Sequence, residues 1–294
     1  MEKFKGIFPA LLTPFDSQDR VNKKELEKLV AHDLALGATG FYVCGSTGEA
    51  FLMSREERME VMDVVRSAAP DATLIAHIGS VNERDALALA KHARDLGYDA
   101  VSSVAPYYYP FTIQEIRDYY CRLADAAALP MVVYHIPALS GVKMGQGELG
   151  KLLQDQRVMG LKYTANEMFP LERIRAEFPN KVIYNGYDEV LLAGLSMGAD
   201  GGIGSTYNFM ADKFVSIRTL FAQGRMAEAA KVQSEANRII AVLCSMGVMQ
   251  AEKELLCQLG LDFGCCRHPF GELTQEQKDT LRREVLPCIE GIKL

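Results

Sequence analysis

No stretch of about 18 uncharged apolar residues occurs anywhere in the chain, which excludes a membrane-crossing helix of ordinary length. The opening residues, MEKFKGIFPALLTPF, hold no apolar run long enough for the core of a secretory leader with a small-residue cleavage site, so a cytoplasmic protein is expected. The cysteines, Cys44, Cys121, Cys244, Cys257, Cys265, Cys266 and Cys288, are odd in number and show no CxxC spacing. Neither a disulfide framework nor a zinc site is indicated, and a reducing compartment fits. No histidine pair has metal-ligand spacing, so no metal is expected. Runs of basic residues are missing too: 32 Lys+Arg against 38 Asp+Glu give a net charge of −6 spread along the chain. That balance argues against nucleic acid or an anionic membrane as the main partner, and it means that a small acidic substrate must be held by local donors.

With 49% hydrophobic and 24% charged residues in 294, the chain is long and apolar enough to bury a large core. Length alone suggests about two domains of roughly 150 residues, but α/β barrels run to roughly 250 residues as one unit.

Short β-rich apolar runs alternate with segments whose apolar residues recur at three and four, each run closing on Gly, Ser, Pro or Asn. Strands are expected over 7–13, 40–45, 73–78, 100–104, 130–136, 158–163, 182–185 and 201–204, with a helical segment after each. Runs such as MVVYHIP are apolar on both faces, the mark of parallel strands covered by helices, and eight βα units close into a (β/α)8 TIM barrel. The first helix reads as capped by Asn22 with Glu25 three residues on and a stripe of Leu26, Leu29, Val30 and Leu34; Ser54 and Glu57 form a second capping box. The barrel is assigned to residues 1–222, and helical patterns near 227–244, 250–259 and 274–289 form a C-terminal helical extension over 223–294.

Chemistry in such barrels gathers at the C-terminal ends of the strands. There the sequence places Thr13, Ser46, Thr47, His77, Ser102, Ser103, Tyr134, Lys162, Thr164, Asn185, Gly186 and Ser205. Lys162 interrupts the apolar strand VMGLKYT. A buried ammonium loses its proton easily, and the free amine attacks ketones to form a Schiff base; the alternative is a stem on the barrel wall with its head paired to a carboxylate. GSTGE at 45–49 has hydroxyls, glycines and amides near a helix start and suits a carboxylate, unless it is only a tight turn. Tyr134, beside Lys162 on the preceding strand, either shuttles a proton or packs. Asp188 and Glu189 in YNGYDE either cap a helix or accept hydrogen bonds from a polyhydroxylated ligand, with Gly186 allowing close backbone approach. His32 and His92 look like helix-surface residues; His77 and His135 suit the barrel interior.

Taken together, LLTPF at 11–15, GSTGEAF at 45–51, YYPF at 108–111, YHIPALSG at 134–141, LKYT at 161–164, YNGYDE at 184–189, GADGGIGSTYN at 198–208 and CRHPFG at 266–271 resemble the N-acetylneuraminate lyases of the dihydrodipicolinate synthase superfamily, in collinear order over nearly the whole chain. The resemblance implies a homotetrameric class I aldolase, without metal or organic cofactor, that cleaves N-acetylneuraminate reversibly to pyruvate and N-acetylmannosamine. It implies Lys162 as the Schiff-base lysine, Tyr134 as the acid/base group, and Ser46 and Thr47 as carboxylate binders. Thr164, Gly186, Asp188, Glu189 and Ser205 align with residues that line the sugar tail, and Tyr108 with a tyrosine given to a neighbouring subunit's site. His135 replaces the usual Asn of this segment, and Ala165, Asn166 and Glu167 follow LKYT where a Ser-Gly-Asp-like run is common. A related aldolase of 2-keto-3-deoxy sugar acids, or dihydrodipicolinate synthase, is the alternative. The synthase pattern has an arginine shortly after this segment, where the present chain reads Ala138, Leu139, Ser140 and Gly141.

Overall fold

A computed structural model describes residues 1–289. Eight parallel strands, β1 (Gly6–Pro9), β2 (Gly40–Val43), β3 (Thr73–His77), β4 (Ala100–Val104), β5 (Met131–His135), β6 (Val158–Tyr163), β7 (Val182–Asn185) and β8 (Gly201–Gly204), pair in the order β1-β8-β7-β6-β5-β4-β3-β2. An isolated bridge between Ala10 and Tyr42 links the two ends, with the Leu11 amide donating to the Tyr42 carbonyl at 3.0 Å. The result is a nearly closed (β/α)8 TIM barrel. β1 is shorter than the expected 7–13, and past Leu11 the Leu12 amide donates to the Asn208 side chain instead of to a neighbouring strand.

The intervening helices are α1 (Lys23–Ala35), α2 (Arg55–Ala68), α3 (Glu83–Asp95), α4 (Ile113–Ala127), the short α5 (Pro137–Ser140), α6 (Gln146–Leu153), α7 (Met168–Glu177), α8 (Leu191–Ser196) and α9 (Tyr207–Ala222). Then follow α10 (Met226–Cys244), α11 (Val248–Gln258) and α12 (Gln275–Glu284), which ends earlier than expected and gives way to a 3-10 turn at Leu286–Cys288. Among the described residues no helix is long and apolar enough to cross a membrane.

Side chains alternate across each strand, and both faces are buried. Phe8, Tyr42, Ile75, Val132, Tyr134, Tyr184 and Ile203 fill the barrel interior. Phe41, Val43, Leu74, Val133, Leu161 and Ile183 pack outward against the helices. His77 points inward, edge-on to Tyr134 with ring centroids 6.1 Å apart, and its Nδ1 lies 2.9 Å from the Cys44 carbonyl. His135 does not share that interior: one residue past Tyr134 it faces the helices and stacks on Tyr163 at 5.6 Å.

The structure changes several local expectations. Ser54 and Glu57 do form a capping box on α2, but Asn22 makes no side-chain cap on α1. Its side-chain Nδ2 instead donates to the Asp262 carbonyl, and Glu25 accepts from the Asp262 amide at 3.0 Å, so both are drawn into a tertiary contact. Leu34 is exposed rather than part of the buried stripe, and His32 is buried rather than on the surface. The C-terminal segment grips the barrel mouth. From α10, Gln233 Nε2 donates to the Asp188 carbonyl at 3.1 Å and Asn237 Nδ2 to the Glu189 carbonyl at 3.0 Å.

Candidate active site

Lys162 stands next to last on β6, in direct register with Tyr134 on β5. It is 4% exposed, and its Nζ lies 4.1 Å from the centre of the Tyr134 ring and 4.4 Å from that of Tyr42. Burial penalises the ammonium and brings its pKa down to about 7, with Asp188 offsetting part of the drop. Aromatic faces solvate a cation only weakly compared with water, so near neutrality a large share of this lysine is free amine.

Tyr134 is pushed up to about 12 by burial, and the Ser46 and Thr164 hydroxyls beside it hold back part of that rise. The phenol is therefore protonated at neutral pH. Thr164 Oγ1 is buried and completes no hydrogen bond of its own. Gly186 faces it: a Cβ at that position would come 1.9 Å from Thr164 Oγ1. The glycine thus makes room for a threonine on the neighbouring strand, a requirement beyond ligand approach.

The Gly45 to Glu49 segment forms turns and lies well before α2, which begins at Arg55, so it is not a helix N-terminus. Its fitness for an anion comes from local groups instead. Among the described residues no acceptor is found for the Ser46, Thr47 or Gly48 amides. Two residues in the left-handed region, Cys44 (φ 58°) and Glu49 (φ 57°), bracket the turn. Such backbone persists only where its surroundings hold it. Here the Glu49 carboxylate pairs with Lys253 of α11 at 2.5 Å and accepts from the Arg267 amide at 2.7 Å. Thr13 adds a hydrogen bond to the Gly48 carbonyl at 2.9 Å.

On the opposite side, Asp188 is buried and raised to about 6 by desolvation. It accepts from the Thr206 amide at 2.8 Å and the Thr206 hydroxyl at 2.7 Å. Only glycine fits at 204, where a Cβ would stand 1.7 Å from Asp188 Oδ1. Asp188 therefore fastens the β8 end to the 3-10 turn after β7. Asn208 performs a similar task, donating to the Ala10 carbonyl at 2.8 Å and accepting from the Leu12 amide at 3.0 Å.

These groups surround a cavity of about 860 Å³ at the C-terminal mouth of the barrel. Of the residues expected from the sequence, Ser46, Thr47, Tyr134, Lys162, Thr164, Gly186, Asp188, Glu189 and Ser205 line it. Thr13, His77, Ser102, Ser103 and Asn185 do not; they are buried beneath or behind it, where they tie strands and turns together. Tyr108 lies outside its own chain's cavity, 84% exposed and at φ 81°. Cys244, Met249, Gln250 and Phe270, from the C-terminal segment, complete the wall and were not anticipated. Nor were Lys253 and Glu252, although the run of three charges Glu252, Lys253 and Glu254 inside α11, the first two buried, was a readable sign. Among the described residues no group of three or more His, Cys, Asp or Glu side chains is placed to hold a metal ion.

A barrel whose mouth sets a deprotonatable amine against a phenol, beside a turn of unused amides, defines an enzyme class that handles carbonyl compounds bearing a carboxylate. Residues 3–286 match the model of the dihydrodipicolinate synthetase family, and the chain belongs to that family. An N-acetylneuraminate lyase of Rhizobium meliloti (strain 1021) is 45% identical over 289 residues, covering 98% of this chain and 96% of that protein. Among solved structures, the catalytic lysine mutant of Ruminococcus gnavus sialic acid aldolase superposes with a TM-score of 0.94 at 29% identity, covering 99% of both chains. N-acetylneuraminate lyase from Fusobacterium nucleatum complexed with pyruvate gives 0.92 at 35% identity, covering 99% of this chain and 98% of that one.

Proposed function

We propose that a catalytic barrel over residues 1–222, with a C-terminal helical extension over 223–294 of which residues 290–294 lie outside the described residues, acts as a class I aldolase that cleaves N-acetylneuraminate reversibly to pyruvate and N-acetylmannosamine. The carrying observation is the buried Lys162 amine, lowered to about 7, facing Tyr134 at the barrel mouth. The names of the relatives, and the pyruvate bound to one of them, support the substrate class.

The chemistry follows from charge. The neutral Lys162 amine adds to the C2 ketone, one proton passing from nitrogen to the new hydroxyl. Tyr134 gives its proton to that hydroxyl, water leaves, and a C2 iminium remains. A fixed cation now sits beside the phenolate and stabilises it, although burial alone would keep the tyrosine protonated. The phenolate takes the C4 hydroxyl proton, the C3–C4 bond breaks, and its electrons flow into the iminium nitrogen. N-acetylmannosamine departs; the enamine is protonated at C3 and hydrolysed to pyruvate and free Lys162. Ser46 and Thr47, with their unused amides, hold the carboxylate throughout, while Thr164, Gly186, Asp188, Glu189 and Ser205 face the sugar tail. Preorganised donors of this kind each supply on the order of 3 kcal/mol.

Lys162 is the one cation lining the cavity among the described residues, and Leu139 occupies the mouth. A second substrate carboxylate would meet no counter-charge, which weighs against dihydrodipicolinate synthesis. The exposed, strained Tyr108, beside exposed Tyr109 and Phe111, is suited to reach a neighbouring subunit, in keeping with a homotetramer. Free cysteines throughout suit a cytoplasmic protein.

Borohydride with pyruvate is expected to add a stable mass that Lys162→Ala abolishes; labelling of another residue would overturn the mechanism. Coupled detection of pyruvate release, with N-acetylneuraminate beside 2-keto-3-deoxygluconate, tests the substrate. Turnover of the second compound alone would replace the substrate and leave the chemistry standing.

A further inference from the structure

The turn assigned to the substrate carboxylate carries a carboxylate of its own. Glu49 closes the Gly45 to Glu49 segment and belongs to the cavity wall, with its side chain 0% exposed. Its amide donates to the Ser46 carbonyl at 3.0 Å, which makes residues 46–49 a tight turn and keeps the acid close to whatever the Ser46, Thr47 and Gly48 amides hold. A bare anion in that place would repel a ligand carboxylate. Lys253 of α11, with its side chain 1% exposed, meets it: Nζ lies 2.5 Å from Glu49 Oε1, an oxygen with no other partner among the described residues. The second oxygen, Oε2, accepts from the Arg267 amide at 2.7 Å. We propose that Lys253 is a positioning residue for carboxylate binding: acting through Glu49, it cancels the charge built into the turn and fixes the turn's left-handed end, so that free amides rather than a fixed anion decide what binds there. This inference rests on the reading of residues 46–48 as the carboxylate site.

The surroundings leave this task to Lys253. Its ammonium also donates to the Cys265 carbonyl at 3.1 Å and stands 4.3 Å over the Phe15 ring, away from the cavity wall. Arg267, whose guanidinium lies 4.1 Å from the same ring, is engaged by Glu57 at 2.9 Å and Asp19 at 2.8 Å. Lys278 of α12 pairs with Glu254. The other titratable groups of this region are Cys266, pushed up to about 12 by burial, and Glu252 beside Lys253, raised by burial to about 8, so both are uncharged near neutrality. Among the described residues Lys253 is thus the one cation paired with Glu49.

The test is the pyruvate concentration that half-saturates borohydride trapping, followed from about pH 5.5 to about pH 8.5 and taken as a ratio of variant to wild type, which cancels the titration of Lys162. A carboxylate stranded in a buried site takes up a proton as the pH falls. In Lys253→Met the ratio should therefore stay near unity at the acid end and climb as Glu49 ionises. The climb should reach about 10- to 100-fold, the effect of two like charges about 6–10 Å apart at an effective dielectric of about 20. The Glu49→Gln, Lys253→Met double variant should give a flat ratio. Glu49→Gln alone still accepts from the Arg267 amide but leaves the cation unbalanced, so it should tighten pyruvate binding, and it keeps the proposal testable if Lys253→Met fails to fold. A pH-independent loss shared by Lys253→Met and the double variant, or weaker binding in Glu49→Gln, would overturn the proposal. Methyl pyruvate carries no charge, and its ratio should be flat in every variant. If the wild type itself binds the ester as tightly as pyruvate, the turn is not a carboxylate site and the underlying reading has failed, a different result from a flat ratio in Lys253→Met.

Discussion

Replacing Lys162 with methionine should stabilise the protein, and the gain should depend on pH in a calculable way. In the native state burial brings the amine from its ordinary 10.5 down to about 7. The unfolded chain restores the ordinary value, so between about pH 7 and about pH 10.5 the unfolded state binds a proton that the native state does not. The contribution of Lys162 to wild-type stability therefore rises with pH across that window. Below it, both states are protonated and the whole cost of burying an ammonium is borne by the fold. At about 1.4 kcal/mol per pH unit, that cost is on the order of 5 kcal/mol. Methionine matches much of the stem without the charge. Lys162→Met should thus exceed the wild type by on the order of 4 kcal/mol near pH 7, by about half that near pH 9, and by little near pH 10.5. Asp188, raised to about 6, titrates below the window and leaves it clear. Isothermal urea unfolding at a series of pH values gives the difference directly. A difference that stays constant from about pH 7 to about pH 10 would refute the argument that Lys162 is held as a poised amine.

Three further outcomes are expected. Tyr134→Phe keeps the ring that faces Lys162 but removes the proton carrier of both iminium formation and C4 deprotonation, so kcat should fall about 10²- to 10⁴-fold and borohydride trapping of pyruvate should slow as well; an unchanged kcat would remove the phenol from the mechanism. Gly204→Ala would drive a Cβ into Asp188, which stands 1.7 Å from that position, and should raise KM for the sugar acid far more than it weakens pyruvate trapping. Lys253→Met leaves Glu49 charged and buried beneath the anion-binding turn, which should cost about 3–5 kcal/mol in urea unfolding, with part of the loss recovered by adding Glu49→Gln; an unchanged midpoint would mean the pair does not hold the turn.

Much of the site could be read before any coordinates. Lys162 stood out because a charge inside VMGLKYT has no ordinary place in a two-sided buried strand, and parallel register placed Tyr134 beside it. GSTGE suggested an anion site through composition and a nearby helix start, whereas in the structure the segment is a turn well before α2 whose Ser46, Thr47 and Gly48 amides have no acceptor among the described residues. His135 was set in the wrong layer: strand alternation is strict, and with Tyr134 inside, the next residue must face out.

Periodicity, strand count and the polar residues at strand ends were properties of the sequence itself, since each depends on neighbours within a few positions. They determined the (β/α)8 architecture and most of the rim. Tertiary structure alone decided which rim residues reach the cavity, because that depends on closure of the barrel and on how deep each side chain then lies. It also decided the proton affinities of Lys162, Asp188 and Glu252, which are set by burial among groups distant in sequence. The same holds for the support of the site. Asn22 looked like a cap until Asp262 drew it away, and Glu49 looked like part of a ligand loop until Lys253 claimed it. Contacts across more than 200 residues leave no period for a local reading to detect.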